Sequence, residues 1–171
     1  KSSLLNALTN RRTLARTSNT PGRTREVNFF SLGKHLMLVD LPGYGYAQAP
    51  KSEISRWNRL IEDYLRGRSN LRRVFLLVDA RRGIGDLDRN VMKLLDQAAV
   101  GYQVILTKID KEKSATLIKV RAGIEMELKQ HGAAHPDIFG TSAVKNLGLE
   151  KLRATIATLV EEGGLRYMLD P

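Results

Sequence analysis

Apolar and polar positions follow one another along this chain in two rhythms. Leu36 to Val39, Val74 to Val78 and Val104 to Leu106 are continuous apolar runs, as expected of strands covered on both faces in a parallel sheet. Between them, apolar residues recur every three or four positions. Ile54, Trp57, Leu60, Ile61, Tyr64 and Leu65 form one helical stripe, Leu87, Val91, Leu94, Leu95 and Ala98 a second, Leu117, Val120, Ile124 and Leu128 a third, and Leu149, Leu152, Ile156 and Leu159 a fourth. Such stripes are core. Leu4 to Leu8 reads as the body of a first helix, Val27 to Leu32 as a strand at the sheet edge, and Ile138-Phe139 as a short last strand. The alternation predicts a doubly wound α/β fold with no linker, repeat or low-complexity segment.

Composition narrows the picture. With 171 residues, 42% of them hydrophobic, the chain can bury one sizeable core and predicts one domain over 1–171. The absence of cysteine excludes disulfides, thiolate metal sites and cysteine nucleophiles, and permits a reducing cytosolic compartment. No apolar stretch approaches the length of a membrane span, and nothing at Lys1 resembles a cleavable signal, so no membrane association is expected. Lys and Arg number 28 against 18 acidic residues, a net charge of +10 with a pI near 10.1. That charge favours a polyanionic partner through counterion release, RNA before DNA. Arg11, Arg12, Arg16, Arg23 and Arg25 crowd one segment and Arg66, Arg68, Arg72, Arg73, Arg81 and Arg82 another, and the planar fork of arginine suits phosphate.

Three short segments, each following an apolar run, carry candidate chemistry. Asp40-Leu41-Pro42-Gly43 puts a carboxylate at the carboxyl end of a strand, where it can hold the water shell of Mg²⁺. Gly43 lacks a Cβ, so its N–H can come close to a γ-phosphate. In Thr107-Lys108-Ile109-Asp110, the Asp110 carboxylate can accept two hydrogen bonds from guanine N1–H and the exocyclic amine, a pair that adenine does not offer. The aliphatic stem of Lys108 would lie over the base, and Thr107 would tie neighbouring loops together. Thr141-Ser142-Ala143 ends the next strand, and the Ala143 N–H could reach guanine O6. Lys1-Ser2-Ser3 before a helix matches the tail of a phosphate-binding loop: Lys1 would reach the β- and γ-phosphates and the Ser2 hydroxyl would ligate Mg²⁺. Each segment alone has a plain structural reading as a strand end or helix cap; the ordered set points to a guanine-nucleotide site. His131 and His135, four apart, are compatible with a metal, but Gly132 and Pro136 end the helix and no third ligand is near in sequence.

These residues resemble the translation-factor-like GTPases, and within them the EngB family of ribosome-assembly proteins. The likeness runs through Lys1-Ser2-Ser3-Leu4-Leu5-Asn6-Ala7-Leu8, Thr20-Pro21-Gly22-Arg23-Thr24, Asn28-Phe29-Phe30, Asp40-Leu41-Pro42-Gly43-Tyr44-Gly45-Tyr46-Ala47 and Asp79-Ala80-Arg81. It implies a mixed, mostly parallel six-stranded sheet with helices on both faces. It places Gly22, Arg23 and Thr24 at the nucleotide, with Thr24 completing the Mg²⁺ shell beside Ser2 and, through water, Asp40. It also implies GTP binding and hydrolysis coupled to maturation of the large ribosomal subunit and its RNA in the bacterial cytoplasm, with a link to cell division and septation.

Two departures qualify the implication. Tyr44 stands after Gly43 where many small GTPases carry a water-orienting glutamine, so hydrolysis is expected to be slow unless another group, a partner or a monovalent cation assists. No side chain is assigned as the catalytic group. The glycine-rich head of the phosphate loop and its strand would precede Lys1, which predicts a GTPase domain incomplete at its N-terminus, with that strand expected between the strands ending at Asp40 and Asp79. A GTPase-fold scaffold that binds RNA or protein with little catalysis is the alternative reading.

Overall fold

In the computed structural model, residues 1–11, 14, 27–34, 36–41, 59, 62–65, 67 and 70–161 are described, together with the helical backbone as far as Met168. The chain opens with helix α1 (Ser2–Thr9), whose first turn hangs on the Lys1 carbonyl, which accepts from Leu4 and Leu5 N–H at 3.0 and 3.1 Å. It stops at Asn10, which adopts the left-handed conformation (φ 53°) that asparagine tolerates better than most residues. Strands β1 (Asn28–Leu32) and β2 (Leu36–Asp40) pair antiparallel, joined by a turn that contains Gly33 at φ 66°. Strand β3 (Val74–Asp79), helix α2 (Asp86–Gln97), strand β4 (Tyr102–Thr107), helix α3 (Ser114–Leu128), strand β5 (Phe139–Thr141) and helix α4 (Leu149–Met168) then alternate. β3, β4 and β5 form a parallel sheet in that order.

Period-2 alternation in the buried strands sends side chains to two cores. Leu76 and Val78 of β3 and Tyr102, Val104 and Leu106 of β4 meet Val91, Met92 and Leu95 of α2 and Ile124 and Leu128 of α3. On the opposite face, Ile105 and Phe139 meet Leu4 of α1 and Leu149 and Leu152 of α4, with Phe75 and Leu77 against them. Each such aliphatic side chain contributes roughly 1.5–3 kcal/mol on burial, so Leu95→Ala would cost about 2–5 kcal/mol with the cavity included. Helices therefore cover both faces of the parallel sheet, the doubly wound arrangement that the apolar runs predict. α1 and α4 are also clamped together by Arg153, whose guanidinium donates to the carbonyls of Leu8 (3.0 Å) and Ala7 (2.6 Å) and to Asn10 Oδ1 (2.9 Å).

Several details differ from the sequence expectations. β4 begins at Tyr102, because Gln103 is fully buried with its amide satisfied: it accepts from Arg73 Nη1 at 3.1 Å and donates to the Asp137 carbonyl at 3.0 Å. A polar letter thus hides part of a buried strand. Met92 is fully buried while Leu87, at 43% exposed, turns to solvent, so the α2 stripe is rotated from Leu87 towards Met92. The last strand is Phe139–Thr141, one residue later than expected. Of the first helical stripe only Tyr64 and Leu65 are described; residues 62–65 are helical and Leu65 is buried, while Ile54, Trp57, Leu60 and Ile61 lie outside the described residues. The described residues contain five strands in two sheets, and β2 and β3 are not hydrogen-bonded to one another; this gap lies where the sequence places a further strand, between those ending at Asp40 and Asp79. No helix among the described residues is long and apolar enough to cross a membrane.

Candidate functional site

The parallel register brings Asp79, Thr107 and Thr141, the last residues of β3, β4 and β5, side by side at one edge of the sheet. Carboxyl ends of parallel strands are where α/β folds place ligands, because the loops that leave them diverge to the two faces. Both threonines lace the edge together. Thr107 Oγ1 donates to the Val78 carbonyl at 3.2 Å and Thr141 Oγ1 to the Leu106 carbonyl at 3.1 Å, so each strand end is tied to its neighbour.

Beyond that edge, Lys108 adopts φ 59°, a left-handed backbone that a lysine occupies at some cost, and Ile109–Lys111 follow as a single 3₁₀ turn. Asp110 lies in this turn. Hydrogen bonding with the Ser142 hydroxyl is the main cause that holds its carboxyl below the ordinary value, ahead of the opposing effect of desolvation. Ser142 is itself fully buried, and its Oγ accepts the Lys145 N–H at 3.1 Å. The loop is closed by two reciprocal backbone bonds of 3.0 Å between Ser142 and Leu147. Asn146 (φ 53°) and Gly148 (φ 69°) supply the left-handed turns that closure requires. Ala143 sits half-buried at the start of this loop. The turn of Asp110 and the loop that starts at Ser142, some thirty residues apart in sequence, thus lie beside one another at the same sheet edge.

A second group forms where β2 ends and α1 begins. Lys1 Nζ lies 2.9 Å from Asp40 Oδ1 and donates to the Leu41 carbonyl at 2.5 Å. Asp40 is buried, at 4% exposed, and Leu41 packs against the core beneath β3 and β4. Lys1 and Asp40 form an ion pair without an aligned hydrogen bond, and Asp40 Oδ1 has no other polar partner among the described residues. A buried carboxylate that is incompletely satisfied, with the Ser2 residue one position from its lysine partner, is a donor set of the hard oxygen type that Mg²⁺ takes. Ser2 and Ser3 open α1, half-buried and exposed respectively. Gly22, Arg23, Thr24, Gly43 and Tyr44 lie outside the described residues. His131 pairs through Nδ1 with Asp96 Oδ2 at 2.6 Å, and no group of three metal-compatible side chains occurs among the described residues.

Sequence pattern alone gave no separate role to Asp79, although it ends an apolar strand just as Asp40 does, and that signal was available. Arg81 holds both its oxygens, Nε to Oδ1 at 2.9 Å and Nη2 to Oδ2 at 2.6 Å, and the Arg81 N–H adds a third bond at 3.1 Å. Lys108 Nζ completes the set at 2.9 Å from Oδ2. The Arg81 hydrogen bonds first, and then Lys108, hold the Asp79 carboxyl well below the usual carboxylate range despite partial burial.

Residues 1–108 match the family model described as a 50S ribosome-binding GTPase, and residues 60–162 match that of the GTP-binding domain of elongation factor Tu. The chain is similar to the probable GTP-binding protein EngB of Rhodospirillum rubrum, 57% identical over 164 residues that cover 93% of this chain and 71% of that protein. It is also similar to the protein of the same description from Hyphomonas neptunium, 55% identical over 166 residues, covering 95% and 76%. Among solved structures, Era in complex with MgGDPNP and nucleotides 1506–1542 of 16S ribosomal RNA gives a TM-score of 0.69 at 21% identity, covering 92% of this chain and 52% of Era. Apo elongation factor SelB from Methanococcus maripaludis gives 0.67 at 21% identity, covering 94% of this chain and 32% of SelB. At that identity the likeness is one of fold.

Proposed function

The chain belongs to the EngB family of GTP-binding proteins and is a GTPase, and from that premise we propose that it binds guanine nucleotide at the carboxyl edge of β3 to β5 and acts in assembly of the large ribosomal subunit. Asp110 accepts from guanine N1–H and the exocyclic amine, the Lys108 stem covers one face of the base, and the Ala143 N–H meets O6. Lys1 meets the phosphates at the start of α1, where the N-terminal end of the helix favours negative charge. Ser2, with Asp40 through water, would hold Mg²⁺, which would supply neutralisation of the phosphate charge. Ser3, Thr107, Thr141 and Ser142 shape the same site, Gly22, Arg23 and Thr24 complete it, and Gly43 senses the γ-phosphate. Turnover is slow without a partner or a monovalent cation, because Tyr44 offers no amide to orient water.

The observation that carries this reading is the parallel register that sets Thr107 level with Thr141, and so brings the turn that holds Asp110 beside the loop closed by Ser142 and Leu147. The ribosomal part rests on coarser support: the net charge of +10, and a matching family described as 50S ribosome-binding. On this reading the protein works in the bacterial cytoplasm with ribosomal RNA as its polyanion. The test is base choice. Asp110→Asn removes one acceptor and inserts a donor, so GTP affinity should fall by about 10- to 100-fold, the loss of one or more charge-assisted hydrogen bonds, while xanthosine triphosphate gains. Unchanged GTP affinity would remove Asp110 from the base site.

A further inference from the structure

We propose that Asp79 is a positioning residue for the nucleotide base: clamped by Arg81, it anchors the ammonium of Lys108 and so sets how long the nucleotide stays bound. This rests on the reading of Asp110 as the guanine acceptor and deepens it by adding the group that holds the base's apolar platform in place.

Lys108 is 55% exposed, and an exposed lysine–carboxylate pair is ordinarily a loose one. This pair differs because three further donors hold its acid. Asp79 ends β3 in register with Thr107, and the Ala80 N–H donates to the Thr107 carbonyl at 2.9 Å, so the ladder between β3 and β4 continues to the residue just before Lys108. The Asp79 carboxylate is only 19% exposed and takes four donors, three of them from Arg81, whose planar fork fits a carboxylate in a single orientation. Lys108 therefore has its backbone fixed at φ 59° on one strand end and its Nζ fixed at 2.9 Å on the neighbouring strand end. The methylenes between are drawn across the carboxyl edge of the sheet, two residues before Asp110.

A base that stacks on such a stem meets a surface already ordered, and the rotamer freedom of a lysine is not lost again on binding. Cutting the anchor should restore that freedom and loosen the base end of the nucleotide. The γ-phosphate is not involved, so GDP and GTP should be affected alike. Guanine should still be preferred, because Asp110 is untouched.

The experiment measures dissociation rates of fluorescent GDP and a non-hydrolysable GTP analogue from the full-length protein. Asp79→Asn should speed release of both by about tenfold, on the order of one lysine's side-chain freedom, and Arg81→Ala should act in the same direction. Lys108→Met keeps an apolar stem but removes the ammonium and leaves the Asp79–Arg81 fork intact, so it tests the anchor without touching what holds the loop after β3. It too should speed release. In a Lys108→Met background, Asp79→Asn should add little, since the two changes cut one link. Unchanged release rates in Lys108→Met, or an Asp79→Asn effect that persists in full in that background, would overturn the proposal. Asp110→Asn run alongside separates the two ideas: a shift towards xanthine with no effect at Asp79 defeats the anchor alone, whereas no shift defeats the base site and the anchor with it.

Discussion

Gly148 should be one of the least replaceable residues in the chain, and its cost can be worked from geometry. A Cβ built there would collide with the Gly140 carbonyl oxygen and lie 3.1 Å from its carbon, both backbone atoms that no rotamer change can clear. Gly33 is the control. It has nearly the same backbone, φ 66° against 69°, but nothing lies within 4 Å of its Cβ position. Gly33→Ala should cost about 1 kcal/mol, the left-handed penalty of roughly 1–2 kcal/mol less a few tenths regained from the stiffer unfolded chain. Gly148→Ala carries the same penalty and in addition must push β5 away from the start of α4. That displacement strains the Thr141 hydroxyl bond to Leu106 and the paired Ser142–Leu147 bonds, each contributing about 0.5–1.5 kcal/mol. The sum is about 2.5–5.5 kcal/mol, and at roughly 2–4 °C per kcal/mol the melting temperature should fall by about 5–22 °C, against about 2–4 °C for Gly33→Ala. Urea titration and calorimetry of the two variants give the comparison. Because Ser142 and Ala143 lie in the displaced loop, guanine-nucleotide affinity should fall with Gly148→Ala and not with Gly33→Ala. Equal destabilisation by the two substitutions would show that the close approach of Gly148 to Gly140 is not what makes this position a glycine.

Other substitutions test the remaining structure. Arg153→Ala removes three hydrogen bonds from a cation to the end of α1 and should cost about 2–3 kcal/mol, only partly recovered by Arg153→Lys, whereas Arg121→Ala, which breaks an exposed pair with Glu125, should cost about 0.3–0.5 kcal/mol; similar values in urea titrations would refute the clamp. Asp110 has a folded pKa below its ordinary 3.8, so its contribution to stability is complete above that value and is lost as the pH falls through the lower folded one. Ser142→Ala removes the largest cause of the depression and should move the Asp110 carboxyl titration, followed by NMR, to higher pH; an unmoved midpoint would count against the hydroxyl bond. If the exposed Arg72 and Arg82 meet ribosomal RNA phosphates, charge reversal at both should reduce the log–log salt slope of large-subunit association by roughly 0.7–0.9 for each phosphate no longer neutralised, and a slope that does not change would assign their charge to solvent.

Fold class and the chemistry on offer were legible in the order of residues along the chain. Continuous apolar runs such as Val74 to Val78 can be stable only when covered on both faces, and helical stripes between them supply the cover, so the doubly wound order follows from burial alone. The types of residue at strand ends, Asp40, Thr107 and Thr141, were legible for the same reason: a polar letter that closes an apolar run marks the point where the chain leaves the core. What the one-dimensional pattern lacks is register and partner choice. Gln103 lies outside the apolar run that begins at Val104, and only Arg73 and Asp137 around its amide explain its burial within the strand. Met92 replaces Leu87 on the buried side of α2 because the rotation of a helix is set by what it packs on, and that is a tertiary fact. Asp79 was the larger omission. Its pairing with Lys108 spans 29 residues and exists only because parallel pairing of β3 with β4 brings Asp79 level with Thr107, so hydrogen bonding between strands decided which carboxylate meets which lysine. The same holds for Asp110 and Ser142: the sequence named both, but only the closure of the loop by Leu147 and Gly148 delivers the serine hydroxyl to the carboxylate.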